Sequence, residues 1–156
     1  MDKDTEREVL QDFLASYRLA RLRLEKLKVR HRTLIEDMET PLKGAKYDSM
    51  PSNDTASEGA AAIIYKIAEI EGKIKEQCQT MSLYCVKVME ILDFLPDTSE
   101  GKLILELRYI DGMELIDICE NICKSRSSCY RQEIQALDEL LRFERVRDIV
   151  GLKEED

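Results

Sequence analysis

The chain is poor in the residues that punctuate a fold. Its 156 residues include only three prolines and six glycines, and no stretch alternates apolar and polar residues as a half-buried strand does. These two scarcities exclude a strand-built fold and leave an all-α protein. No apolar run approaches the roughly 20 residues that a bilayer-spanning helix needs, so neither a transmembrane segment nor a membrane partner is expected. There is one histidine, with no Ser-His-Asp or Cys-His set around it and no glycine-rich phosphate loop, so the chain reads as no enzyme, without catalytic residues or cofactor. The five cysteines are odd in number and irregularly spaced and include no Cys-x-x-Cys pair, and no signal peptide is expected ahead of them. They predict free thiols in a reducing cytoplasm and no metal site. The net charge of −8 argues against a general nucleic-acid coat protein. A sequence-specific reader remains open, because a few local cations suffice for it.

What the chain has is periodicity. Leu10, Phe13, Tyr17, Ala20, Leu24, Leu27, His31, Leu34 and Met38 occupy alternating a and d positions of an unbroken heptad. They predict a helix of about thirty residues, on the order of 45 Å long. "TPLKGAKYDSMPSNDTASEG" follows, rich in turn formers, and predicts a loop over 40–58. A second heptad runs through Ala60, Ile63, Ile67, Ile70, Ile74, Gln77, Met81, Tyr84, Val88, Ile91 and Leu95. Two matched amphipathic helices predict an antiparallel coiled-coil hairpin over residues 1–95.

Near one end of that hairpin Val9, Leu14, Leu19 and Leu22, with Leu83, Cys85, Val86, Met89, Leu92 and Phe94, are more apolar surface than a two-helix seam can bury. The surplus predicts packing on the C-terminal residues or on a second protomer, and the hairpin is read as the element of assembly into a homo-oligomer. His31 reads as a polar residue fixing register in the seam. The run "RLARLRLEKLKVRHR", residues 18–32, holds seven cations and one acid and reads as a solvated helix face, with DNA or an acidic partner as its alternative.

Pro96 ends the second long helix, and residues 96–156 form the second predicted domain. Asp97 and Glu100 have capping-box spacing. Three helices follow on pattern, at about 98–110, 114–121 and 126–147, with Gly112 between the first two and Ser125 as N-cap of the third. Leu115, Ile118, Cys119 and Ile122 make one apolar side, continued by Cys129, Ala136, Leu137 and Leu140. The opposite face of the third helix shows Arg126, Ser127, Ser128, Arg131, Gln132 and Gln135. All donate hydrogen bonds and none is acidic. Residues 124–132 carry a local charge of +3. Cations to hold phosphate, with Arg and Gln to read base edges, are what a recognition helix needs.

The stretch "LELRYIDGMELIDICENICKSRSSCYRQEIQALDEL" resembles region 4 of bacterial sigma factors, where an LRY-x-[DE]-G run precedes a helix-turn-helix and an S-x-x-x-x-Y-R run opens the recognition helix. The whole chain resembles small phage- and prophage-borne proteins of Gram-positive bacteria, similar to phage late-gene transcriptional regulators of the ArpU and RinA kind. The resemblance implies a C-terminal sigma-region-4-like helix-turn-helix domain and a cytoplasmic, sequence-specific DNA-binding regulator in a bacterial host cell. Its helix 126–141 would enter the major groove of double-stranded DNA, through Lys124, Ser125, Arg126, Ser127, Ser128, Arg131, Gln132 and Gln135. RNA polymerase is a further partner it implies. The alternative, from another class, is a coiled-coil adaptor that binds RNA polymerase or another protein without touching DNA.

Three positions depart from the pattern. Cys123 stands where the turn usually has Gly, Glu114 replaces the usual Ser or Thr cap, and the domain from Asp97 onward has fifteen acids against nine cations. Cys119 and Cys129 read as small core residues, and Cys78 and Cys85, one heptad apart, read likewise.

Overall fold

The computed structural model describes residues 1–44 and 53–153, with side chains over 1–39 and 58–153. All regular structure among these residues is helical: α1 (Lys3–Gly44), α2 (Asn53–Leu92), α3 (Glu100–Tyr109), α4 (Leu115–Asn121), α5 (Arg126–Leu140) and α6 (Glu144–Val150). No described helix is long and apolar enough to cross a membrane.

The first two helices are longer than the heptads alone suggest. α1 continues to Gly44 and α2 begins at Asn53, so of the loop expected over 40–58 only residues 45–52 fall outside the described residues. Asn, Asp, Thr and Ser, which crowd the start of α2, are residue types found at helix starts as well as in turns.

The described residues divide into two compact units, one of residues 1–20 and 81–156, the other of residues 21–80. In the second, α1 and α2 bury Leu24 and Ile70. His31, half-buried, places Nε2 3.0 Å from Glu71 Oε1.

In the first unit, part of the apolar surplus on the long helices meets the C-terminal helices. Leu10 and Leu14 of α1 and Val88, Ile91 and Leu92 of α2 share one core with Leu95, Leu105, Tyr109, Leu137, Leu140, Val146 and Leu152. Leu19, Leu83, Val86 and Met89 remain exposed. Polar ties fasten residues 6–18 of α1 to the C-terminal residues. Arg7 Nε donates to Asp138 at 2.6 Å, Arg147 Nη2 to Glu6 at 2.8 Å, and Arg18 Nη2 to the Gly112 carbonyl at 3.2 Å.

The long final helix expected over 126–147 is two helices. Leu141 and Arg142 make a turn and Phe143 is extended before α6; its ring lies against Phe94 with centroids 5.0 Å apart, and Val146 is buried.

Candidate nucleic-acid interface

α3, α4 and α5 pack on one another around Ile104, Ile118, Cys119 and Cys129. The approach of α3 to α5 depends on Gly101: a Cβ there would stand 2.7 Å from Ala136 Cβ and 3.2 Å from the Gln132 carbonyl oxygen, a separation no side chain tolerates. α3 is capped by Ser99, whose hydroxyl accepts from the Lys102 amide at 3.2 Å. The capping box expected from Asp97 and Glu100 is therefore not formed. Asp97 instead accepts from Lys102 Nζ at 2.6 Å, a bond that holds its carboxyl below the usual carboxylate range.

α4 closes in Schellman geometry, with the Lys124 amide donating to the Cys119 carbonyl at 3.1 Å and the Cys123 amide to the Glu120 carbonyl at 3.3 Å. Cys123 takes the left-handed position, with φ of 56°, where glycine is the ordinary choice. Gly151 ends α6 in the same way with φ of 84°. Glu114 precedes α4 without a side-chain cap bond.

α5 starts at Ser125, whose hydroxyl accepts from the Ser128 amide at 3.3 Å. Cys129, Glu133, Ala136, Leu137 and Leu140 form its buried side. At about 100° per residue, Ser127, Arg131 and Gln135 lie in one row, and all three are exposed. Arg126 is exposed as well, but stands about 140° from Arg131 around the axis and flanks the row rather than joining it. Neither arginine has an ion-pair partner among the described residues. Tyr130, the tyrosine of the S-x-x-x-x-Y-R run and outside the expected contact set, is 58% exposed, and its position four residues after Arg126 places it on the Arg126 flank.

Two predicted contact residues are engaged within the protein. Lys124 Nζ and Gln132 Nε2 both donate to the same oxygen of Glu100 at the start of α3, the second at 2.8 Å. Lys124 foremost, then Gln132, hold the Glu100 carboxyl below the usual carboxylate range. Gln132 Oε1 is buried with no hydrogen-bond partner among the described residues.

Beneath α5, Glu133 is fully buried. Burial pushes its carboxyl above the ordinary value, against the pull of Arg108 and the Tyr109 hydroxyl. Burial likewise pushes the Tyr109 phenol up to about 12 and, first among several causes, the Cys129 thiol up to about 11. Cys119 and Cys129 are buried and Cys123 is exposed. Of the basic run, Arg18 is spent on the Gly112 carbonyl and Arg21 lies 3.7 Å from Glu25. Arg23, Lys26 and Arg30 line a shallow groove with Leu22 and Leu27.

No protein-family model, curated protein or solved structure matches the chain.

Proposed function

We propose that the protein is a phage or prophage transcriptional regulator that binds double-stranded DNA in a sequence-specific way. In this reading α3–α5 act as a sigma-region-4-like helix-turn-helix, and α5 enters the major groove. α1 and α2 act as an antiparallel coiled-coil hairpin through which protomers assemble and set the spacing of two reading helices. The observation that carries the reading is the row Ser127, Arg131 and Gln135. It is exposed and carries no acid over its first three positions, Glu139 being the next residue along it, on a helix capped by Ser125 and braced from behind by its buried side. A row of this kind offers a cation for phosphate or guanine and an amide for adenine. Arg126 and Tyr130 extend it on one flank.

A second reading, an adaptor that contacts RNA polymerase or another protein and no DNA, draws support from one observation. Leu103 on α3 and Ile116 on α4 are apolar and exposed on the same three helices.

Selection of bound sequences from a random DNA pool, followed by affinity measurement across salt concentrations, separates the two. A DNA reader enriches a defined sequence and loses affinity steeply with salt, because each phosphate contact releases counterions. An adaptor enriches nothing.

A further inference from the structure

The contact between Glu100, Lys124 and Gln132 has the chemistry of a phosphate contact made inside the protein. A carboxylate oxygen accepts from an ammonium and from a side-chain amide, the donors that a DNA backbone oxygen would engage. Three features set this contact apart from a routine surface ion pair. Its two donors belong to the first half of the candidate recognition helix and its approach, Lys124 just before the Ser125 cap and Gln132 in the second turn of α5. Its acceptor comes from a different helix, α3, brought near by the close approach at Gly101. And it leaves Gln132 half-satisfied: with Nε2 turned to Glu100, Oε1 is buried without a partner among the described residues. An amide that reads adenine uses both of its atoms at once, whereas here one atom is used and the other is wasted.

We propose that Glu100 is an internal stand-in for DNA phosphate, holding Lys124 and Gln132 in the DNA-free protein and yielding them when DNA displaces it. This rests on the DNA-binding reading and adds a device to it. Non-specific contacts must compete with a built-in carboxylate, so weak encounters with DNA of any sequence are disfavoured. A site that also rewards Gln132 with a base edge recovers the loss. Glu100 thus acts as a specificity-determining residue that itself touches no base.

The test uses full-length protein and three variants, Glu100→Gln, Glu100→Gln with Lys124→Ala, and Glu120→Gln. The last removes one negative charge from an exposed position on α4 without touching Lys124 or Gln132. Melting curves establish that each variant folds, and Glu100→Ala serves if the glutamine variant does not. Dissociation constants are then measured for a selected site and for random-sequence DNA over a range of salt.

Glu100→Gln is expected to bind random-sequence DNA about three- to tenfold more tightly at low salt. Its log–log salt dependence should steepen by about 0.9, the increment of one added phosphate contact. Lys124→Ala in that background should abolish the steepening, and Glu120→Gln should leave the slope at the wild-type value. Equal effects of Glu100→Gln and Glu120→Gln would overturn the stand-in, reducing it to general electrostatics. Weaker binding by Glu100→Gln would overturn it too, making Glu100 a support that aims Lys124 at DNA. If no variant and no wild-type protein binds any DNA, the DNA reading falls and the stand-in with it. Binding by wild type that Glu100→Gln leaves unchanged removes the stand-in alone.

Discussion

Arg108 Nη1 of α3 lies 2.5 Å from one carboxylate oxygen of Glu133 on α5 and 2.6 Å from the other, and the glutamate is sealed from solvent while the arginine side chain is one-third exposed. This pair braces α5 from behind, on the side opposite its exposed row. A buried carboxylate left alone costs far more than the pair gains, so removal of one partner is harsher than removal of both.

Arg108→Ala is expected to destabilise the fold by about 3 kcal/mol, the lower end of the range for a broken buried pair because the arginine is partly solvated. A double change to apolar residues of similar size should cost less than the single change. Urea denaturation monitored by circular dichroism measures both.

The same pair makes a pH prediction. Glu133 has a folded-state pKa raised by burial. Its stabilising contribution is complete below the unfolded carboxylate value, and is lost as pH rises through the raised folded value. Glu6, Asp97 and Glu100, all lowered by basic partners, act oppositely: their contribution is present above the ordinary carboxylate value and is lost as pH falls. The difference in unfolding free energy between wild type and Glu133→Gln isolates the first effect. Relative to the variant, wild type should lose stability as pH rises from about 4.5 upward; a flat difference would contradict the assignment.

At the end of α4, Cys123 holds a left-handed backbone at φ of 56°, which costs an L-residue on the order of 1 kcal/mol or more. Glycine removes that cost and gives back part of it through greater freedom in the unfolded chain, about 0.4–1 kcal/mol. Cys123→Gly should therefore raise stability by several tenths of a kcal/mol up to about 1 kcal/mol, visible as a higher melting temperature. Cys123→Val should lower it.

Leu83 and Val86, three residues apart on α2, and Met89 beyond them remain exposed after the C-terminal helices have packed. Self-association through the long helices predicts at least a dimer by light scattering at tens of micromolar. Leu83→Glu combined with Val86→Glu should shift the protein toward monomer without loss of helical signal. A strictly monomeric wild type at that concentration would remove the assembly role.

Much of the helical framework is legible in the sequence. The heptad positions Leu10, Ala20, Leu24, Ile70, Val88, Ile91 and Leu95 are buried, because a regular apolar repeat on a helix marks the face that leaves water, although Leu10, Val88, Ile91 and Leu95 are buried in a core shared with the C-terminal helices. Ser125 is legible as a cap, since a hydroxyl before a helical run has amides to satisfy. The break between α5 and α6 is not, because Leu140, Leu141, Phe143 and Val146 keep a plausible helical spacing, and the packing of Phe143 against Phe94 is a tertiary contact that no pattern along the chain announces. Nor are the roles of Glu100, Arg108 and Glu133 legible. Each depends on how closely α3 approaches α5, which Gly101 sets through space and not through any pattern along the chain.

Whether α5 reads DNA is decided by the dissociation constants of wild type and the Arg126→Ala, Arg131→Ala double variant for a selected DNA site, measured at several salt concentrations. Both arginines are exposed and belong to no buried network, so the variant should melt as wild type does. The double substitution should weaken binding at least about tenfold, with roughly 1–3 kcal/mol per arginine that makes a bidentate base contact and a shallower salt slope for each that contacts phosphate. A correctly folded double variant that binds the site as tightly as wild type, with the same salt slope, would contradict DNA reading by α5.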